Sequence, residues 1–140
     1  GIHVTTDLLT PLYWKVITED DRRYGLGSAK LSLSASVPYL EVFQKPDAAL
    51  VKQLSEGASI FHTWFWFARY PVVWYVEEID DGREVTFADL RFFSHSPLGQ
   101  KIFPEYQPPF TLTARLNREG RLAAYLYHRY GETVGWRVPD

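Results

Sequence analysis

Several features common in proteins are missing from this sequence, beginning with cysteine and methionine. The absence of cysteine excludes disulfides, thiol catalysis and cysteine-ligated zinc. The sequence also has no run of about 18 apolar residues, so we expect no bilayer-spanning helix in it. Its first ten residues lack the basic start and apolar run of a signal peptide. Glycine at position 1, with no methionine anywhere, fits a domain cut from a longer protein.

Concentrated positive charge is missing as well. The 15 Lys and Arg residues face 17 Asp and Glu residues, which gives a net charge of −2 and a pI of about 6.1. Proteins that bind nucleic acids by neutralising phosphates carry a basic surface, so we expect no nucleic-acid partner. No Lys/Arg run is present that could act as a polybasic membrane anchor.

Aromatic side chains are abundant, at 16% of the 140 residues. Each ring brings a large area to bury, so a few of these side chains can fill a core. The apolar content of 46% and the charged content of 23% are ordinary for a globular protein. The length suits one core, and we therefore predict a single soluble domain over residues 1–140.

Local patterns predict strands on both sides of a central helical stretch. Alternating or β-branched segments bounded by turn residues are typical of strands. Pro46 and Asp47 are suited to open a helix, Gly57 to end it, and Pro71 to stop a second one. The predicted elements are strands at 12–18 and 26–36, helices at 46–57 and 58–69, and strands at 72–79, 83–94, 110–116 and 121–130.

The order of these elements predicts the fold class. Neighbouring strands joined by short turns, such as the Asp80–Gly82 turn, form antiparallel pairs. Two helices inserted between strands would cover one face of the sheet. We therefore predict an α+β fold with an antiparallel sheet of about six strands, in the order ββ-αα-ββββ, and two helices packed on one face.

The most aromatic stretch is FHTWFWFARYP, residues 61–71. Helical spacing groups most of its rings on one wide apolar face, which predicts a core position for Phe61, Trp64, Phe65 and Phe67. A separate stripe holds His62, Trp66 and Arg69. Trp66 and Arg69 are three residues apart, the spacing of a cation–π contact on a helix. His62 has no second histidine at a metal-binding spacing, which favours a structural role.

Asp89 and Arg91 interrupt a segment otherwise rich in apolar residues. They could form an exposed ion pair at a sheet edge, or they could be partly buried beside Arg69. A buried Asp between two Arg residues would be paired and would leave donors for an anionic ligand. A structural role is favoured over ligand binding. The candidate ligand-binding residues are Trp14, His62, Trp66, Arg69, Asp89 and Arg91.

Three segments resemble the soluble C-terminal half of YdjM-like proteins, a family of predicted inner-membrane-bound metal-dependent hydrolases. The segments are TPLYWKVITEDDRRYGLG, FARYPVVWYVEEIDDGREVTFADLRF and FTLTARLNREGRL. The matching positions are Pro11, Trp14 and Lys15, then Arg69, Pro71 and Val72, then Asp89, Leu90, Arg91 and Phe92.

The resemblance implies that the chain is the extramembrane C-terminal domain of a membrane-bound hydrolase. The family's presumed metal site belongs to the N-terminal transmembrane half, which this chain does not contain. The resemblance therefore implies no cofactor, metal ligand or catalytic residue here, and hydrolase activity only for the parent protein. It also implies association with the membrane through that half, with the parent's transmembrane region as a partner.

Three functions remain open from the sequence. The leading one is a non-catalytic domain that binds a ligand or partner, or regulates access to the parent's membrane site. The second is a small enzyme of its own, with a pocket between sheet and helices and His62 or His128 as base. The third is a membrane-interface module whose exposed Trp residues touch lipid.

Overall fold

A computed structural model describes residues 1–7, 10–30, 40–94, 107–129 and 131–139. The chain divides into two compact units. Unit 1 comprises Gly1–Gln44 and Phe92–Gln107, and unit 2 comprises Lys45–Arg91 and Pro108–Asp140. The far half of the predicted 26–36 strand and much of the loop that follows residue 94 lie outside the described residues.

Unit 1 contains a four-stranded antiparallel sheet in which each strand pairs with the next along the chain. The strands are β1 (Ile2–Asp7), β2 (Thr10–Glu19), β3 (Arg23–Lys30) and β4 (Leu40–Gln44). One face supplies the core through Ile17, Tyr24, Leu26 and Phe43, and the Phe93 ring meets the Phe43 ring edge-on at 5.4 Å. On the other face the exposed side chains include Ile2, Val4 and Val42.

The turn between β2 and β3 is closed by the side chain of Asp20. Its Oδ1 accepts hydrogen bonds from the backbone amides of Arg22 at 2.8 Å and Arg23 at 2.7 Å. This is the local bonding that makes Asp a preferred turn residue. The Arg22 amide and then the Arg23 contacts hold the pKa of Asp20 below its usual value, because they favour the charged carboxylate.

Unit 2 contains a five-stranded antiparallel sheet, again with consecutive strands paired. Two α-helices precede this sheet, and a 3-10 turn at Leu90–Phe92 follows its second strand. The elements are α1 (Ala48–Gly57), α2 (Ser59–Phe67), β5 (Pro71–Ile79), β6 (Gly82–Asp89), β7 (Thr111–Asn117), β8 (Leu122–Arg129) and β9 (Glu132–Arg137).

The two helices begin and end where the local chemistry requires. Asp47 is the N-cap of α1, and its Oδ2 accepts from the Leu50 amide at 3.1 Å. Ala58 is extended, with φ −154° and ψ 132°, so it separates α1 from α2. Ala68 is extended as well, and it ends α2 shortly before Pro71. No helix among the described residues is long and apolar enough to cross a membrane.

Both helices pack on one face of the unit 2 sheet. Phe61 is fully buried and meets Phe87 and Tyr125 edge-on, with ring centroids 6.5 and 5.9 Å apart. Burying side chains of this size contributes about 1.5–3 kcal/mol each. The buried cluster consists of Leu54, Phe61, Trp64, Val85, Phe87, Leu112, Ala114 and Leu116.

The predicted fold class, an α+β fold with about six strands, is wrong. The described residues form nine antiparallel strands and two short helices, so strand dominates the structure. The prediction missed β1, β4 and β9. Polar residues interrupt β1, β4 has only five residues, and β9 carries a central Gly135 with exposed side chains on both faces. In each of the three, apolar residues alternate with other residues at only two positions, which is too short a pattern to identify a half-buried strand.

Candidate functional site

Asp89 is the centre of the polar contacts in unit 2. Its side chain is 2% exposed, at the end of β6. One carboxylate oxygen accepts from the Arg69 amide at 2.8 Å, and the other accepts from the amides of Arg91 at 2.9 Å and Tyr70 at 3.4 Å. A buried carboxylate with this many donors satisfies its own hydrogen-bonding needs and joins the end of α2, the start of β5 and the 3-10 turn.

The side chain of Arg91 completes this arrangement. Its Nε and Nη2 atoms both lie 2.8 Å from Asp89 Oδ2, which forms the predicted Asp–Arg pair. Nη2 also donates to the Phe67 carbonyl at 2.8 Å, and the guanidinium lies 4.6 Å from the centroid of the Phe67 ring. The Arg91 side chain is 33% exposed, so its charge is partly screened by water. We call Asp89 and Arg91, with the groups they bind, the Asp89 clamp.

Arg69 takes part in the Asp89 clamp through its backbone and not through its guanidinium. The prediction that Asp89 lies between two Arg side chains is therefore wrong. Among the described residues, none accepts a hydrogen bond from the Arg69 guanidinium, and the cation–π contact expected with Trp66 is not formed. Arg91 and Phe67 form such a contact instead. The side chain of Arg69 is exposed, so its positive charge is accessible to a ligand or partner.

The C-terminal end of α2 is an exposed aromatic surface. Trp66 is 81% exposed and Phe67 is 43% exposed, whereas Phe61 and Trp64, which lie earlier in the helix, are buried. The prediction that Trp66 lies off the core face is confirmed, and the core position predicted for Phe67 is wrong. Phe67 is the last helical residue and lies partly over the edge of the core, against Phe110 and Arg91. We call Trp66, Phe67 and Arg69 the α2 tip.

Trp14 belongs to unit 1, whereas the other five candidate residues belong to unit 2. It lies on β2 opposite Ala29, and its Nε1 atom is buried without a hydrogen-bond acceptor among the described residues. The next residue, Lys15, is only 2% exposed. A lysine this buried requires polar contacts. Its burial could have been predicted from the alternation along β2, since Lys15 lies on the same face as the core residue Ile17.

The two histidines considered as bases occupy different environments. His62 is exposed on α2. His128 lies on β8, where its Nδ1 is 2.8 Å from Thr133 Oγ1. Burial lowers the pKa of His128 below its usual 6.5, and the negative charge of Glu84 partly opposes this. The interface between the helices and the sheet is filled by the apolar cluster, and neither histidine contributes to that cluster.

Grooves in the described part of the chain lie at hairpin turns. One groove is bordered by Asp20–Arg23 and Gln44, and another by residues 78–80, 82–83 and 117–120. Both are open and lined mainly by charged and polar side chains, and neither includes the α2 tip or the Asp89 clamp. The described residues also contain no group of three or more His, Asp or Glu side chains arranged to hold a metal ion.

Comparison with known proteins adds no relative from which a function could be transferred. No family model, curated protein or solved structure matches this chain. A functional proposal must therefore begin from the surfaces described above.

Proposed function

We propose that this chain is a non-catalytic, extramembrane binding domain that contacts a phospholipid surface through the α2 tip. The observation that carries the proposal is the exposure of Trp66, at 81%, beside the half-exposed Phe67. Adjacent large aromatic residues that are exposed together form an apolar patch, and such patches often mark a contact with a membrane or another molecule. The indole ring favours the headgroup level of a membrane, because one edge is polar and the rest is apolar.

Charge supports a phospholipid partner over a neutral apolar one. The Arg69 guanidinium is exposed and has no acceptor among the described residues. A guanidinium binds phosphate oxygens through a planar fork of donors. From residue 58 to residue 76 the sequence contains no Asp or Glu, so no acidic side chain in this stretch would repel a lipid phosphate. Among the described residues, the buried acid near the tip is Asp89, and it is already paired with Arg91.

The resemblance to YdjM-like proteins supplies a context for this contact. A domain that follows a membrane-embedded half would remain within reach of the bilayer, and a weak surface contact would then be enough to orient it. A single exposed Trp and one Arg give only modest affinity on their own. In this proposal the hydrolytic chemistry belongs to the parent's membrane half, and the domain binds that half or controls access to it.

Co-sedimentation of the chain with vesicles tests the proposal. Vesicles of phosphatidylcholine alone should bind weakly, and vesicles that also contain phosphatidylglycerol should bind more strongly. Trp66→Ala should weaken binding to both by about tenfold, the effect of losing roughly 1.4 kcal/mol of apolar burial. Arg69→Ala should remove the preference for the anionic lipid while leaving weak binding to the neutral one.

Tyr75→Ala is the matched control, because Tyr75 is also a large exposed aromatic residue of unit 2. It should bind vesicles as the wild type does. If the wild type sediments with neither vesicle, the phospholipid partner is wrong. If Trp66→Ala binds as well as the wild type, the contact lies on another surface.

A further inference from the structure

The outer edge of β9 is open. β9 pairs with β8 along its inner edge, in a register that runs from Arg129 opposite Glu132 to Ala124 opposite Arg137. It ends the strand order, and no described segment pairs with its other edge. All six residues of β9 are exposed.

The backbone N–H and C=O groups of successive β9 residues point alternately to the inner and the outer edge, and one hydrogen bond shows which residues point inward. The Val138 amide donates to the Ala123 carbonyl at 2.9 Å. Because antiparallel pairs alternate between hydrogen-bonded and non-hydrogen-bonded, the backbone groups of Trp136 and Val134 also face β8. Those of Thr133, Gly135 and Arg137 therefore face outward.

Side-chain contacts agree with this assignment. Side chains lie closer together across non-hydrogen-bonded pairs. Thr133 is opposite His128, and their side chains are hydrogen-bonded at 2.8 Å. Gly135 is opposite Leu126, whose Cδ2 would lie 3.1 Å from a Cβ at position 135.

This edge lacks the strongest features that protect edge strands from pairing, and its charged residues, Glu132 and Arg137, stand only at its ends. Natural proteins block such edges with lysine, proline or a bulge. β9 contains neither lysine nor proline, and its pairing with β8 is regular. Its two large apolar side chains, Val134 and Trp136, are each 44% exposed on the same side of the sheet as the helices.

We propose that two copies of this chain associate through β9, which forms an antiparallel pair about a two-fold axis at Gly135. Thr133 of one copy then lies opposite Arg137 of the other, so three residue pairs exchange backbone hydrogen bonds. Pairing the same edge of both copies closes the assembly as a dimer. The proposal is independent of the contact with phospholipid, which uses α2.

This register is favoured because it matches apolar side chains with each other. It places Val134 of each copy opposite Trp136 of the other, in the non-hydrogen-bonded positions where side chains approach most closely. A shift by two residues in one direction would place Trp136 opposite Glu132. A shift in the other direction would place Trp136 opposite Trp136 and Val134 opposite Val138, which lies beyond the end of β9.

Sedimentation over a range of concentrations tests the association. The mass should rise from the monomer value of 16.3 kDa towards twice that value as the concentration increases. Val134→Lys places a positive charge on the β9 strand of each copy, opposite the apolar Trp136 of the other. It should therefore keep the chain monomeric at every concentration. The matched control is Val76→Lys. Val76 is an exposed valine of β5 that lies on the same side of the sheet as Val134, and its replacement should leave association unchanged.

A second variant guards against misfolding of the first. Arg137→Pro removes an outward-facing amide that makes no hydrogen bond to β8, so the fold should remain while association weakens at least fivefold. Circular dichroism of each variant verifies the fold. A wild-type mass that stays at the monomer value up to millimolar concentration overturns the proposal. So does a dimer that Val134→Lys and Arg137→Pro both leave intact, because the interface is then elsewhere.

The register can be tested separately, since the chain has no cysteine of its own. A mixture of the Val134→Cys and Trp136→Cys variants should form a mixed disulfide under mild oxidation, and neither variant should cross-link readily to itself. Self-cross-linking of Val134→Cys would show a pairing shifted by two residues and would overturn the register with Gly135 at the axis.

Discussion

Replacing Asp89 with alanine removes the acceptor shared by three backbone amides and one guanidinium. The amides belong to Arg69, Tyr70 and Arg91, and the carboxylate is almost fully buried. A buried donor left without an acceptor costs about 1–3 kcal/mol. The total loss is smaller than the sum of four such costs for three reasons. The Tyr70 hydrogen bond is long, water can enter the vacated space, and the Arg91 side chain is partly exposed. We expect Asp89→Ala to lower the free energy of unfolding by about 3 kcal/mol.

Arg69→Ala is the matched control for this prediction. If the contact of residue 69 with Asp89 runs through its amide, truncating the side chain preserves it. The loss should then be below about 0.5 kcal/mol, the usual effect of a surface substitution. Urea unfolding followed by circular dichroism measures both values, and amide exchange at residues 69 and 91 should accelerate only in Asp89→Ala. A loss below about 1 kcal/mol for Asp89→Ala, or equal losses for the two variants, would refute the reasoning.

Two further predictions concern backbone strain and pH. Gly82 has φ +144° and a Cβ there would lie 2.0 Å from the Leu116 carbonyl oxygen, whereas Gly120 has φ +78° with no atom within 4 Å. Urea unfolding should show a loss above about 3 kcal/mol for Gly82→Ala and about 1 kcal/mol for Gly120→Ala, and similar losses would contradict the backbone account. Since burial lowers the pKa of folded His128 below 6.5, its contribution to stability is present above pH 6.5 and is lost as the pH falls through the folded value. Stability should therefore fall less between pH 7 and pH 5 in His128→Gln than in the wild type, and equal falls would contradict this.

The parts of the fold that the sequence predicted are those with a strong local signal. The β5–β6 hairpin lies where the Asp-Asp-Gly turn indicated, and α1 ends at the predicted Gly57. The strand β9 could not be recognised, because all of its side chains are exposed and its apolar residues, Val134 and Trp136, give an alternation of only two positions. A strand of this kind is defined by its backbone pairing with β8, which composition does not record.

The candidate site was predictable only where side-chain types determine the contact. Asp89 and Arg91 are opposite charges close in sequence, and they form the expected pair. The role of position 69 could not be predicted, because a backbone amide is present at every residue except proline and carries no sequence signal. The exposure of Phe67 depends on where α2 stops, and a shift of one residue in a helix end changes the direction of its last side chain.

The Asp89 clamp also has a mechanical consequence. A pull on the exposed end of α2 would reach the sheet through the Phe67 carbonyl bound by Arg91 and the Arg69 amide bound by Asp89. β6, which holds Asp89, is hydrogen-bonded to β5 on one side and β7 on the other, so the tension spreads into two strand ladders. The end of α2 is therefore a mechanical attachment point. A force applied to it by a bound partner would be transmitted to the sheet through these hydrogen bonds before the helix end separates from the sheet.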